Sequence, residues 1–276
     1  MPRLNIANRS LHYLDEGEGF PVLLGHSYLW QASMWGPQLD CLRKRYRVVV
    51  PELWGHGESG LLPEGTTKVG DLADHMLAFA DALHLEEFVV LGLSVGGMWA
   101  AELALKAPDR VVALGLLDTF VGPEPAAAQA MFFGMIDRVE QGQAFPPPLA
   151  REIAPLFFAP QTPVPEEKEA FTQRLVEISA ERIASIVALG RMIFGRRDML
   201  AELAKIAVPC LVLTGEQDIP RPVSEAKQMV AVLPNATFVE IAGAGHISTI
   251  ERPQAVNSAL TAFLAGAIEG DVPMSG

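Results

Sequence analysis

Cysteine is almost absent. The 276-residue chain holds two, Cys41 and Cys210, far apart and each within an apolar stretch. That excludes a disulfide framework and a cysteine-built metal centre, and reads as two buried thiols in a reducing, cytoplasmic compartment. Basic charge is short as well: 21 Lys and Arg against 33 Asp and Glu leave a net charge of −12. Phosphate recognition needs clustered Lys and Arg, so a nucleic-acid partner is disfavoured. No run reaches the roughly 18 apolar residues of a membrane span, and the opening M-P-R-L-N-I-A-N-R-S has no apolar signal core. Metal-ligand spacing such as H-E-x-x-H, internal repeats and low-complexity tracts are all missing.

Half of the residues are apolar, enough for a full hydrophobic core. Leu4 to Ala7 and Ser10 to Asp15 read as a hairpin around Asn8-Arg9. Continuous apolar runs of strand length follow at 21–25, 46–50, 88–91, 111–117, 210–214 and 237–241. Runs apolar on both faces suit a parallel sheet covered on both sides. Helical patterns lie between them at 31–43, 69–83, 98–106, 223–233 and 253–265. This alternation predicts an α/β fold, a doubly wound, mostly parallel sheet. The tail after Ala267 is polar and Gly-containing, and is expected to fray.

The alternation breaks between Thr119 and about Ala207, where proline clusters separate helical patterns. Residues 1–118 and 208–276 are therefore expected to form the core, with 119–207 an all-helical insertion. Within it, Phe171, Leu175, Ile178, Ile186, Leu189 and Ile193 fall at near-helical spacing and predict one long amphipathic helix. Ligands of open α/β sheets bind at the carboxyl ends of the strands, so an insertion there reads as a cap.

Gly92-Leu93-Ser94-Val95-Gly96 is a G-x-S-x-G pentapeptide between the apolar run 88–91 and the helical pattern 98–106. A serine at such a sharp strand-to-helix corner displays its hydroxyl at the sheet edge, and the flanking turn needs small residues. A serine hydroxyl requires a base, and that base requires an orienting acid. Of six histidines, His246 lies in the Gly-rich Ala242-Gly243-Ala244-Gly245-His246 after an apolar strand, where a functional side chain would be displayed. For the acid, Asp218 leaves the strand 210–213 through Thr214-Gly215-Glu216-Gln217. Asp118, at the end of 111–117, is its rival, and Glu216 a weaker third.

These motifs resemble the α/β-hydrolase superfamily, in its serine esterase and enol-lactonase-like branch with a helical cap. The resemblance covers almost the whole chain. Val22 to Trp35 looks like the family's His-Gly oxyanion loop, and Val50 to Gly60 like its proline-acid-…-Gly-His-Gly-x-Ser segment. The elbow at Ser94, with Gly215-x-x-Asp218 and Gly243-x-Gly245-His246, completes the set. The resemblance implies Ser94 as nucleophile, Asp218 as orienting acid, His246 as general base, and the backbone amides of Tyr28 and Val95 as the oxyanion hole. It also implies loop-packing roles for His26 and His56. Two departures stand out: His26-Ser27 replaces the usual His-Gly, and Glu52 replaces the usual Asp.

The implied chemistry is acyl transfer through an acyl-enzyme on Ser94, with no cofactor and no metal, on a small-molecule ester or lactone. A serine nucleophile disfavours the family's dehalogenases and epoxide hydrolases. An ester of small to medium apolar groups is expected first. The alternatives are a lactonase or enol-lactonase, a cofactor-free perhydrolase, or a ligand receptor that retains the triad. Trp30, Trp99 and Phe120 near the strand ends, with Met131, Phe132 and Met135 of the apolar stretch 130–136, are the candidate pocket residues. Arg151, Arg191, Arg196 and Arg197 either bind an acidic substrate or are ordinary solvated charges.

Overall fold

The computed structural model describes residues 2–269. Eight strands form one sheet: β1 (Arg3–Ile6), β2 (Arg9–Glu16), β3 (Pro21–Gly25), β4 (Arg47–Pro51), β5 (Phe88–Leu93), β6 (Val111–Leu117), β7 (Cys210–Gly215) and β8 (Ala236–Ile241). Their order is β1-β2-β4-β3-β5-β6-β7-β8. The hairpin β1–β2 and the pair β2–β4 are antiparallel, while every later pairing is parallel. The central strand β5 is buried along its whole length, which is why it reads as an uninterrupted apolar run.

Strand order reverses direction between β3 and β5, so the loops leaving these two strands diverge and open a crevice at their carboxyl ends. Gly25 and Gly92 are register partners at that point. The layers here meet backbone to backbone. A Cβ on Gly96 would lie 2.2 Å from the Gly25 carbonyl oxygen, and one on Gly92 would lie 2.1 Å from the Gly96 carbonyl carbon.

Ten α-helices are present among the described residues: α1 (Gly36–Leu42), α2 (Val69–Ala82), α3 (Val95–Lys106), α4 (Ala126–Gly142), α5 (Pro147–Ile153), α6 (Pro165–Val176), α7 (Ala180–Phe194), α8 (Val223–Val232), α9 (Ser248–Glu251) and α10 (Pro253–Glu269). The helix expected over 31–43 begins as a tighter 3-10 turn, Ala32–Trp35, and becomes α-helical only from Gly36. Helix α10 extends through Glu269, four residues past the helix expected to end at Ala265 and into the tail expected to fray after Ala267; the remainder of that tail, 270–276, lies outside the described residues.

Helices α4 to α7 all fall between β6 and β7. The single long helix expected around 171–193 is instead two, α6 and α7, parted at 177–179, with Ser179 extended at φ −68° and ψ 147°. The apolar spacing persists across the break because both helices bury one face, but against different partners. Phe171 of α6 stacks on Trp30 at 4.6 Å with planes 8° apart, whereas α7 packs against α4. Among the described residues no helix is long and apolar enough to cross a membrane. Cys41 and Cys210 are unpaired, and burial pushes the Cys210 thiol up to about 12.

Substituting Gly96 with alanine is expected to lower stability by about 3 kcal/mol or more, because the methyl group meets backbone that cannot rotate away. Gly134, inside α4 with open space at its Cβ position, serves as the control. Alanine there should stabilise by about 0.5–1 kcal/mol. Thermal unfolding of both variants checks the pair; equal melting shifts would sink the close-packing argument.

Candidate active site

Ser94 is the single residue between β5 and α3, with φ +57° and ψ −121°, a left-handed conformation strained for a residue with a side chain. Surrounding bonds fix it there. Its N–H donates to the Leu117 carbonyl at 3.0 Å, and its carbonyl accepts the Thr119 hydroxyl at 2.6 Å. Thr119 follows β6, so the neighbouring strand braces the turn.

His246 follows β8 and Asp218 follows β7. The His246 Nδ1–H donates to Asp218 Oδ2 at 2.9 Å, in a pair almost wholly buried. The Arg221 backbone N–H donates to the other oxygen, Oδ1, at 2.9 Å. With Nδ1 protonated by that assignment, Nε2 is the basic nitrogen. Ser94 and His246 line one cavity.

The rival acid Asp118 is fully buried next to this pair without bonding the imidazole. The Gly215 N–H and the Ser248 hydroxyl donate to its two oxygens at 2.8 and 2.5 Å. Burial, and secondly the charge of Asp218, hold its carboxyl well above the ordinary carboxylate range. Glu216 is exposed and accepts the Gly243 N–H at 2.8 Å, bracing the histidine loop from outside.

The loop after β3 is held by two neutral histidines. His26 donates from Nδ1 to the Ser27 carbonyl at 2.8 Å and accepts the Leu53 N–H on Nε2 at 2.8 Å. His56 donates to the Trp54 carbonyl at 2.9 Å and accepts the Leu29 N–H at 3.0 Å. Burial lowers both, His26 to about 3 and His56 to about 4, so each keeps the one-donor, one-acceptor form these bonds require. Ser27, where glycine is usual, donates its amide to Met34 Sδ at 3.3 Å, and the Tyr28 N–H makes no hydrogen bond to a described residue. Val95 occupies the first turn of α3, where helix amides have no intrahelical acceptor. Glu52 accepts from His12, from the Ala32 amide and from the Glu58 amide, knitting the adjacent loop.

The cavity measures about 70 Å³ and is walled mostly by the segment between β6 and β7: by α4, by α7, and by Phe145, Ile153, Leu156 and Phe157 between them. Of the pocket candidates, Phe132 and Met135 line it. Trp30 is spent on Phe171 and on the Arg174 guanidinium, 5.0 Å from its ring. Trp99 lies under Gly25 in the core, Phe120 packs below Arg196, and Met131 is 45% exposed. Sequence reading missed Met98, one turn after Ser94, and Ile136, Phe145, Phe157, Val187 and Phe194. Met98 carried a usable signal, the helical repeat from the elbow.

Arg191 is paired with Asp137 and Glu140, Arg196 with Glu124, and Arg197 with Glu102 and Glu202; none of the three lines the cavity. Arg151 lies outside it too, near the end of α5. Among the described residues no group of three or more His, Cys, Asp or Glu is placed to hold a metal ion.

A family model described as the alpha/beta hydrolase family matches residues 19–259. The chain belongs to that family. It is 29% identical over 259 residues to 3-oxoadipate enol-lactonase 2 of Acinetobacter baylyi, covering 92% of this chain and 93% of that protein. It is 31% identical over 254 residues to a putative carbamate hydrolase, RutD, of Caulobacter segnis, covering 89% and 91%. Among solved structures, a thermophilic esterase from Thermogutta terrifontis superposes with a TM-score of 0.87 at 31% identity, covering 97% of this chain and 99% of that one. The enol-lactonase of Burkholderia xenovorans gives 0.85 at 25% identity, covering 96% and 100%. Hydrolase chemistry and the α/β-hydrolase fold follow from these likenesses.

Proposed function

We propose that the protein is a serine hydrolase that cleaves carboxylic esters of small to medium apolar groups. The observation that carries this reading is the buried His246–Asp218 pair sharing an apolar cavity with Ser94 on its strained elbow. Ser94 Oγ attacks the ester carbonyl carbon while His246 Nε2 takes its proton. The oxyanion of the tetrahedral intermediate receives the Tyr28 and Val95 amides, each such donor contributing about 3–4 kcal/mol. Collapse breaks the carbon–oxygen bond, and the imidazolium returns the proton to the leaving alcohol. Water, deprotonated by His246, then hydrolyses the acyl-enzyme. Asp218 holds the imidazole in the tautomer this cycle needs. Residues 119–207 act as the cap, since α4, α7 and the stretch from Phe145 to Phe157 supply most of the apolar wall.

The cavity's charge balance favours a neutral ester. Arg221 lines it, but its guanidinium is clamped by Glu124 at 2.5 Å and Glu225 at 3.2 Å. A carboxylated lactone would find no uncommitted cation on that wall. The lactonase reading is favoured by the enol-lactonases named above, and the same triad chemistry would serve it.

The test is turnover of p-nitrophenyl esters from acetate to dodecanoate, beside matched lactones and with fluorophosphonate labelling. A cavity of about 70 Å³ is expected to give a short-chain optimum and a steep decline with length. Lactones turned over far faster than matched linear esters would move the assignment to a lactonase. Absence of both labelling and turnover would leave a binding protein.

A further inference from the structure

Glu251 closes the short helix α9, five residues beyond His246, and is 3% exposed. Its two oxygens hold two backbone amides from remote parts of the chain. Oε2 accepts the Gly245 N–H at 2.6 Å, and Oε1 accepts the Ala159 N–H at 3.0 Å. No Lys, Arg or His among the described residues pairs with it. A carboxyl buried without a cation is costly, so its hydrogen bonds must compensate. Only a carboxylate offers an acceptor at both ends; glutamine offers one.

The two amides belong to segments in direct contact. A Cβ on Gly245 would lie 2.4 Å from the Ala159 nitrogen and 2.6 Å from the Phe158 carbonyl carbon. One residue past His246, the Ile247 N–H donates to the Phe157 carbonyl at 3.0 Å. The Phe157 ring stands edge-on to the imidazole, with centroids 5.6 Å apart. The amides on both sides of His246 are thus tied to 157–159 of the insertion, one directly and one through Glu251. The strand β8 delivers the histidine loop, and the insertion sets its final pose.

We propose that Glu251 is a positioning residue for His246: its carboxylate clamps the Gly245 amide to the insertion's Ala159 amide and thereby aims the imidazole. This rests on the reading of His246 as the general base. Releasing one amide lets the loop drift, loosening the Nδ1–Asp218 bond and moving Nε2 off the line to Ser94. Displacements of about 1 Å at such a point cost on the order of 100-fold in rate.

The experiment compares Glu251→Gln and Glu251→Asp with the parent on a short p-nitrophenyl ester, per fluorophosphonate-titrated site, with Ser94→Ala measured per mole of protein beside them. Glu251→Gln is expected to lower kcat by about 10–100-fold with KM within about twofold. Glu251→Asp keeps two acceptors on a shorter arm and should recover part of the loss. The groups facing the imidazole are Asp218 at Nδ1, Asp118 behind it, Arg221 on the cavity wall and Ser94 across the cavity; neither variant alters them. A looser Asp218 bond stabilises the imidazolium less, so the acid limb of kcat/KM should move to lower pH and the low-field Nδ1 proton resonance should shift. Parental kcat and acid limb in Glu251→Gln would overturn the proposal. So would loss of cooperative unfolding in both variants, which would make Glu251 a support of the fold alone. Turnover surviving in Ser94→Ala would instead remove the reading of Ser94 as nucleophile and His246 as its base, a separate outcome.

Discussion

Ser94→Ala is expected to lower kcat by about 10⁴–10⁶-fold and to abolish fluorophosphonate labelling, with thermal stability nearly unchanged. The size follows from the role: without Oγ there is no acyl-enzyme, and only general binding and oxyanion stabilisation remain. The unchanged stability follows from the backbone. Serine and alanine both place a Cβ at φ +57°, so the strain is equal in parent and variant. The bonds that hold the corner use the Ser94 amide and carbonyl, which alanine keeps. His246→Ala should lose a similar factor, and the double variant little more, because nucleophile and base act in one step. Additive losses would show that the two side chains do not share a step.

Asp218→Asn is expected to lower kcat by about 10³–10⁴-fold, while Asp118→Asn stays within a few-fold of the parent. An asparagine at 218 still accepts one bond, but its amide nitrogen is a donor: facing Nδ1 it forces the wrong tautomer, facing the Arg221 N–H it meets another donor, and either way it cannot stabilise an imidazolium. At 118 the change is mild. An amide oxygen there still accepts the Gly215 N–H, and the Ser248 hydroxyl rotates to meet the amide nitrogen. The parent carboxyl is raised above its ordinary 3.8, so the parent loses stability as pH rises from that value through the folded one. Asparagine removes that loss, and unfolding at neutral pH should show Asp118→Asn no weaker than at acid pH relative to the parent. The reverse pattern of activities would transfer the acid role to Asp118.

The strands and the elbow were legible because their signals are local. A run apolar on both faces, then glycines around a serine, then a helical repeat, places β5 and α3 with their outer ends right and the ends at the elbow two and three residues short. His246 and Asp218 were legible as polar residues leaving strand ends. The pocket walls were not, because lining depends on which distant side chain arrives first. Trp30 looked available until Phe171, far along the chain, stacked on it. Trp99 and Met98 are neighbours on a helix buried nearly all round, so polarity marks no outward face. The step of about 100° between them sends one under Gly25 and the other to the cavity. The break between α6 and α7 was hidden for a similar reason: one apolar rhythm served two packing partners.

The buried ladder Arg196–Glu124–Arg221–Glu225 has a practical reading for anyone recombining members of the family. Glu124 stands where the chain enters the helical insertion, Arg196 where it leaves, and Arg221 three residues after Asp218. An insertion transplanted from a relative, cut at those two borders, would strand Arg221 against whatever replaced Glu124. The recipient would keep the Arg221–Glu225 pair but bury the guanidinium nitrogen that met Glu124 without an acceptor, beside the Asp218 loop, at a cost of about 1–3 kcal/mol. Substrate preference in this chain is therefore not a detachable cassette; a chimera must exchange the ladder together with the walls.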